Sequence, residues 1–169
     1  MSGHYGPISQ GCSSVIRSLT FESNLKKYGP YGVQHGTYFS FSKAGWKIVG
    51  FHGRSSWYLD CIGIYISSLR TQSAGVYLIS PVAYGPWGGS GGSDFQDGMY
   101  TGVRQIVLSR GAGIAGIKVE YDRNGQSIWG NRHGGTTNAI RTDTVSIHIN
   151  NDKGWLRTSE LQLYFNSLQ

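Results

Sequence analysis

The sequence predicts an all-β, antiparallel fold, and three observations carry that expectation. Glycine occupies 26 of 169 positions, roughly twice the usual share; an interior glycine costs a helix about 1 kcal/mol relative to alanine, so long helical runs are excluded. Apolar residues alternate with polar ones, cleanly at Ile117, Val119 and Tyr121 around Lys118 and Glu120, and at Val145, Ile147 and Ile149 around Ser146 and His148. That period of two is the mark of half-buried strands. Glycine-bearing turns separate nearly all such runs, as short antiparallel connections require.

In chain order, strands are expected at Val15 to Phe21, Thr37 to Phe41, Lys47 to Phe51 and Cys61 to Ile66, then at Val103 to Leu108, Ile117 to Tyr121, Val145 to Ile149 and Leu161 to Phe165. The stretch from Ser67 to Val82 breaks this pattern with Ser, Gln, Gly and a proline. It reads as a connection, with Val76-Tyr77-Leu78-Ile79 a candidate extra strand. The chain is thus expected to divide into residues 1–66, a linker at 67–82 and residues 83–169. Neither part carries enough apolar surface to stand alone, so one shared core is expected. Sandwich, barrel and prism all satisfy the periodicity. The tripeptide Tyr-Gly-Pro recurs at Tyr5-Gly6-Pro7, Tyr28-Gly29-Pro30 and Tyr84-Gly85-Pro86, which points to repeated supersecondary units with equivalent turns.

Composition narrows the function classes. Charged residues are 14% of the chain against 13% aromatic, a balance that folds instead of staying disordered. The net charge of +6 is spread over scattered Lys and Arg with no polybasic run, so nucleic acid is not expected as a partner. No apolar run approaches the roughly 20 residues of a membrane-spanning helix. Cys12 and Cys61 form neither a disulfide framework nor a metal spacing, and no N-x-[ST] acceptor or signal-like segment occurs. A soluble, cytoplasmic protein without cofactor or metal is the expectation.

Two stretches resemble a known family. Gly85-Pro86-Trp87-Gly88-Gly89-Ser90-Gly91-Gly92-Ser93-Asp94-Phe95-Gln96-Asp97-Gly98, followed by Thr101-Gly102-Val103-Arg104-Gln105-Ile106, resembles the opening of a jacalin-related lectin domain. Tyr28-Gly29-Pro30-Tyr31-Gly32, Gly36-Thr37-Tyr38-Phe39-Ser40, Ile48-Val49-Gly50-Phe51-His52-Gly53-Arg54 and Leu59-Asp60-Cys61-Ile62-Gly63-Ile64-Tyr65 resemble its close. The closing half comes first, as in a circular permutant or in a piece of a tandem lectin that runs from one domain into the next. The resemblance implies a β-prism I fold, three four-stranded antiparallel sheets about a pseudo-threefold axis, closed within one chain or assembled from half-domains. It also implies a strand near Trp155-Leu156-Arg157-Thr158-Ser159, whereas the tail from Glu160 to Gln169 matches poorly.

A neutral sugar is bound well by a fixed carboxylate that accepts from hydroxyls and by backbone N–H groups that a glycine turn brings close, with no metal required. The resemblance to the mannose/glucose-binding branch of this plant-type family implies such a site at Gly92, Trp57, Tyr58 and Asp60. Gly92 N–H would serve O3, the N–H groups of Trp57 and Tyr58 would serve O5 and O6, and the Asp60 carboxylate would accept from O4 and O6. The path from Gly85 to Asp97 has no inserted processing loop, which argues against the galactose-binding branch. Where the family's Asp loop starts with glycine this chain has Ser56; if that position needs a positive φ, serine costs about 1 kcal/mol or more. Trp87, Trp46 and Trp129 are expected to pack, not to bind sugar, and Cys61 to be buried.

Arg132-His133-Gly134-Gly135-Thr136-Thr137 resembles the glycine turn of a second site that some members of the family carry, but the partner loop the resemblance implies, Ser109 to Gly116, lacks an acid, so one site per chain is expected. An enzyme is disfavoured: a glycoside hydrolase needs two facing carboxylates, and neither Asp60, Asp94 and Asp97 nor the five scattered histidines imply such an arrangement. The alternative reading is a truncated tandem-lectin product with a weakened or lost site and a structural or stress-related role. Shallow single sites gain from linkage, so a homo-oligomer is expected.

Overall fold

The computed structural model describes residues 1–23, 25–72, 75–78 and 80–146. The expected strands at Trp155 to Ser159 and Leu161 to Phe165, the tail from Glu160, and Ile79, Ile147 and Ile149 lie outside the described residues. Strands β1 (Ser2–Pro7), β2 (Ser14–Glu22), β3 (Lys27–Gly32) and β4 (Thr37–Ser40) form one antiparallel sheet in the order β3-β2-β1-β4. Next come β5 (Trp46–Ser55), β6 (Leu59–Gln72), β7 (Gly75–Leu78), β8 (Val82–Gly88) and β9 (Ser93–Gln96). Here β5 and β6 are the inner pair, β8 lies on β6, β9 lies on β5, and β7 folds back on the far end of β6. The last sheet takes β10 (Gly102–Arg110), β11 (Ile114–Arg123), β12 (Gln126–Gly134) and β13 (Arg141–Ser146) in the order β12-β11-β10-β13.

Each unit repeats one path. A hairpin forms the middle of the sheet, the next strand adds beside its second arm, and the last crosses over to its first arm, a Greek key. Three such units turn their apolar faces to a common axis and make a β-prism with pseudo-threefold repetition. The middle hairpins supply the core: Ile16, Leu19 and Phe21 from β2, Ile62, Ile64 and Ile66 from β6, Leu108 from β10, and Ile117 and Tyr121 from β11 are all fully buried. Each large apolar side chain so buried contributes about 1.5–3 kcal/mol. Phe21 and Phe51 meet edge to face at 6.4 Å, joining the first unit to the second. In β11 the expected alternation is present, with Ile117, Val119 and Tyr121 inside and Lys118 and Glu120 partly outside.

Two expectations are corrected. The segment from Ser67 is not a free connection, since β6 continues to Gln72 and Ser67 and Ser68 are buried opposite Lys47 and Trp46; the candidate extra strand is present over Val76 to Leu78 in β7, which pairs Val76 with Thr71. Serine marks a loop by composition, but the extended partner strand β5 holds Ser67 and Ser68 in the ladder. The Tyr-Gly-Pro repeat is structural in two of its three copies. Tyr28 faces Phe21 on β3 and Tyr84 faces Ile64 on β8, equivalent outer strands, whereas Tyr5-Gly6-Pro7 lies in the inner strand β1. In the third unit Ile128-Trp129-Gly130 takes the equivalent place on β12, with Ile128 opposite Tyr121.

Units two and three are tied by a buried polar group. Asp97, just beyond β9, accepts from the Tyr121 hydroxyl at 2.5 Å and pairs with His133 Nε2 at 2.5 Å, while Phe95 stacks on the His133 ring at 3.8 Å. Burial first, and the Asp97 charge second, push the Tyr121 hydroxyl well above its ordinary range.

Candidate functional site

The loops joining inner hairpin strands and the crossovers between outer strands gather at one end of the prism. In the second unit the hairpin turn is Ser56-Trp57-Tyr58, closed by a hydrogen bond from Ser56 N–H to the Tyr58 carbonyl at 2.9 Å. Leu59 points into the core and is fully buried, so alternation sends Asp60 to the other face. That face is covered. β8 ends opposite Cys61 and β9 begins opposite Ser55, so the chain between them, Gly89 to Gly92, passes directly over Asp60. Gly89 N–H donates to the Asp60 carbonyl at 2.9 Å, and Asp60 is only 3% exposed.

Two glycines let the crossing lie close on Asp60. A Cβ at position 91 would stand 2.5 Å from Asp60 Oδ1, and one at position 92 would stand 2.6 Å from Oδ2, with Gly92 also in the left-handed region at φ +65°. Arg54, on β5, holds the crossing in place. Its Nε donates to the Gly91 carbonyl at 2.9 Å, Nη2 to the Gly92 carbonyl at 2.6 Å, and Nη1 pairs with Asp94 at 2.6 Å. In a trans peptide the C=O of one residue and the N–H of the next are antiparallel. With the Gly91 carbonyl on Arg54, the Gly92 N–H points away from it.

The structure therefore brings Asp60 and Gly92 into contact across the two halves of the chain, and puts Trp57 and Tyr58 in the turn immediately before Asp60. The N–H groups of Trp57, Tyr58 and Gly92 make no hydrogen bond within the protein among the described residues. The Trp57 side chain is 68% exposed, and Tyr58 is half-buried. The third unit flanks the turn: a Cβ at Gly135 would lie 3.0 Å from the Trp57 carbonyl, and one at Gly113 would lie 3.7 Å from the Tyr58 ring.

Ser56 does not carry the expected strain. Asn124 is the one non-glycine residue with positive φ among the described residues, so the serine backbone sits in an ordinary region. Its hydroxyl instead donates to Asp60 Oδ2 at 2.9 Å. No other protein donor reaches that carboxylate among the described residues, and Oδ1 is not sealed from solvent. Sequence reasoning missed both this bond and Arg54. The pairing of Arg54 with Asp94 follows from strand register, which no local pattern reports.

The bond from Gly89 N–H to the Asp60 carbonyl recurs in the other units as Gly135 N–H to Ala115 at 2.8 Å and Val33 N–H to Arg17 at 2.8 Å. Asp60, Ala115 and Arg17 are thus equivalent positions, and only the second unit has an acid there. Arg17 turns its own guanidinium inward, donating from Nε to Ala112 O at 2.9 Å and from Nη1 to Pro7 O.

Among the tryptophans, Trp87 stacks on Phe39 at 5.2 Å and packs as expected, and Trp46 lies beneath the Lys43 ammonium at 3.7 Å. Trp129 departs from expectation: it is 44% exposed on the outer strand β12, beside Lys118 at 5.1 Å, because Ile128 takes the inward position. Cys61 is buried, and that burial raises its thiol above the ordinary range.

Residues 1–65 and 84–153 match the family described as the jacalin-like lectin domain. The chain is similar to jacalin-related lectin 3 of Arabidopsis thaliana, 35% identical, with 80% of this chain and 34% of that protein covered. It is also similar to the agglutinin of Castanea crenata, 40% identical over 72% of this chain and 41% of that protein. A mannose/glucose-specific lectin of Parkia platycephala is 37% identical over 69% of this chain and 24% of that protein. The chain spans about a quarter to two-fifths of the length of these relatives.

Proposed function

Because the chain belongs to the jacalin-like lectin domain family, we propose that it binds mannose- or glucose-containing glycans directly, through the loop pair around Asp60. One observation carries the reading. Asp60 is a nearly buried carboxylate that receives a single protein donor among the described residues. Ionised carboxylates are costly to bury with lone pairs unused, and the lone pairs left over suit neighbouring sugar hydroxyls, which donate. Opposite them the unbonded N–H groups of Trp57, Tyr58 and Gly92 suit the sugar's acceptor oxygens. In the assignment taken from the family, Gly92 serves O3, the turn serves O5 and O6, and Asp60 accepts from O4 and O6. The hexose preference is supported by the mannose/glucose-specific relative.

The reading is of binding without turnover. Hydrolysis would require a second free carboxylate across the glycosidic bond, but Asp94 is paired with Arg54, and Asp97 is buried against Tyr121 and His133. A cytosolic location belongs to the same proposal, supported by the free thiols of Cys12 and Cys61. So does a homo-oligomer, in which linked shallow sites gain avidity, to be read from the mass in solution.

The test is calorimetric titration of a mannosyl oligosaccharide into the protein and into Asp60→Ala and Asp60→Asn variants. A loss of at least tenfold in affinity in both variants is expected, with no reducing ends released on long incubation. Equal binding by all three proteins would dispose of the site at Asp60, and absence of binding by the wild type would favour the lost-site alternative.

A further inference from the structure

Ser56 is exposed at the mouth of the turn, while Asp60, to which it bonds, is buried behind it. A serine hydroxyl has one hydrogen and two lone pairs. The hydrogen is committed to Asp60 Oδ2, since an ionised carboxylate only accepts, so toward a ligand Ser56 Oγ is an acceptor alone. A carboxylate has about four lone-pair positions; Ser56 uses one, and enough remain for two sugar hydroxyls. The serine therefore does not displace the ligand from Asp60. It adds a third acceptor oxygen, 2.9 Å from Asp60 Oδ2.

We propose that Ser56 is a specificity-determining residue of this site, selecting hexopyranosides that present a further free hydroxyl hydrogen beside the two taken by Asp60. This rests on the lectin reading above. The wall formed by Asp60 and Ser56 accepts only, and the wall formed by Trp57, Tyr58 and Gly92 donates only through backbone N–H. A sugar that lacks the hydroxyl facing Ser56 leaves that exposed oxygen to water and forfeits the bond, so the analogue gains nothing from the serine. Anionic sugars are disfavoured at the same wall, because every oxygen there carries negative charge or lone pairs.

The experiment measures, by calorimetry or NMR titration, the affinity of wild type and Ser56→Ala for methyl α-mannoside and for its 2-, 3-, 4- and 6-deoxy analogues. Thermal melting confirms that both proteins are folded. The expected result is a loss of about three- to tenfold on substitution for the parent sugar, with the loss abolished for one deoxy analogue and retained for the others that still bind. Two outcomes would overturn the proposal: unchanged or tighter binding of the parent by the variant, or the same loss for every analogue, which would mean that Ser56 merely orients Asp60. If wild type and Asp60→Ala fail to differ for the parent sugar, the lectin site itself is wrong, and the role of Ser56 falls with it.

Discussion

Arg54 reaches from β5 to the Gly92 carbonyl at 2.6 Å, so a strand residue of the first half of the chain shapes a loop of the second. The ion pair within this arrangement, to Asp94, is well exposed on the Asp94 side, and exposed pairs contribute about 1 kcal/mol at most. The value of Arg54 lies in loop geometry.

Replacing Arg54 by Ala is therefore expected to weaken mannoside binding about five- to twentyfold by releasing the Gly91 and Gly92 peptides, with a stability loss of only about 1 kcal/mol. Lysine at this position keeps the charge but lacks the fork that serves both carbonyls and Asp94, so its affinity should fall between the two. Titration calorimetry beside urea unfolding separates the two effects; a variant that binds like wild type would show the staple to be idle.

Gly92→Ala is expected to damage both stability and binding. The new methyl group would run into the Ser55 backbone carbonyl and stand 2.6 Å from Asp60 Oδ2 in a backbone at φ +65°, a combination that costs about 1–2 kcal/mol or more. Urea midpoints should fall accordingly, and mannoside affinity should drop more than tenfold because the carboxylate must move. A variant with wild-type affinity would show that Gly92 does not bear on the sugar.

Stability should depend on pH through Lys47. Burial lowers its ammonium from 10.5 to about 8, against the opposing pull of Asp122. Between those two values the unfolded chain binds a proton that the folded chain has released, so raising the pH through that window favours folding. Tyr121 acts oppositely at higher pH: its folded hydroxyl holds its proton beyond the range in which an unfolded tyrosine, near pH 10, loses it. Urea midpoints measured from pH 7.5 to 10 should rise in the wild type and rise less in Lys47→Met; parallel curves for the two proteins would refute the assignment.

How far this molecule was legible in its sequence depends on the strand. β10 and β11 show their alternation because one face meets the core and the other meets water. The outer strands β3, β8 and β12 do not, since Gly29-Pro30, Gly85-Pro86 and Trp129-Gly130 interrupt them and little of their surface is buried. Glycine and proline read there as turns, while the ladder accepts them only because these strands lie at sheet edges. Asp60 and Gly92 were legible through family resemblance. The bonds from Ser56 to Asp60 and from Arg54 to the glycine crossing were not, because they arise from the register of β5 against β9 and from the short turn before β6.

The three-way repetition of a single backbone bond, at Asp60, Ala115 and Arg17, separates scaffold from chemistry. Each unit offers the same frame, and one side chain decides whether that frame is acidic, inert or self-filled. The capacity of the domain to hold more than one guest is thus governed by point substitution, not by any rebuilding of its architecture. At Ala115 the frame is fully buried, so an acid placed there would have to make room for itself as well as supply its charge.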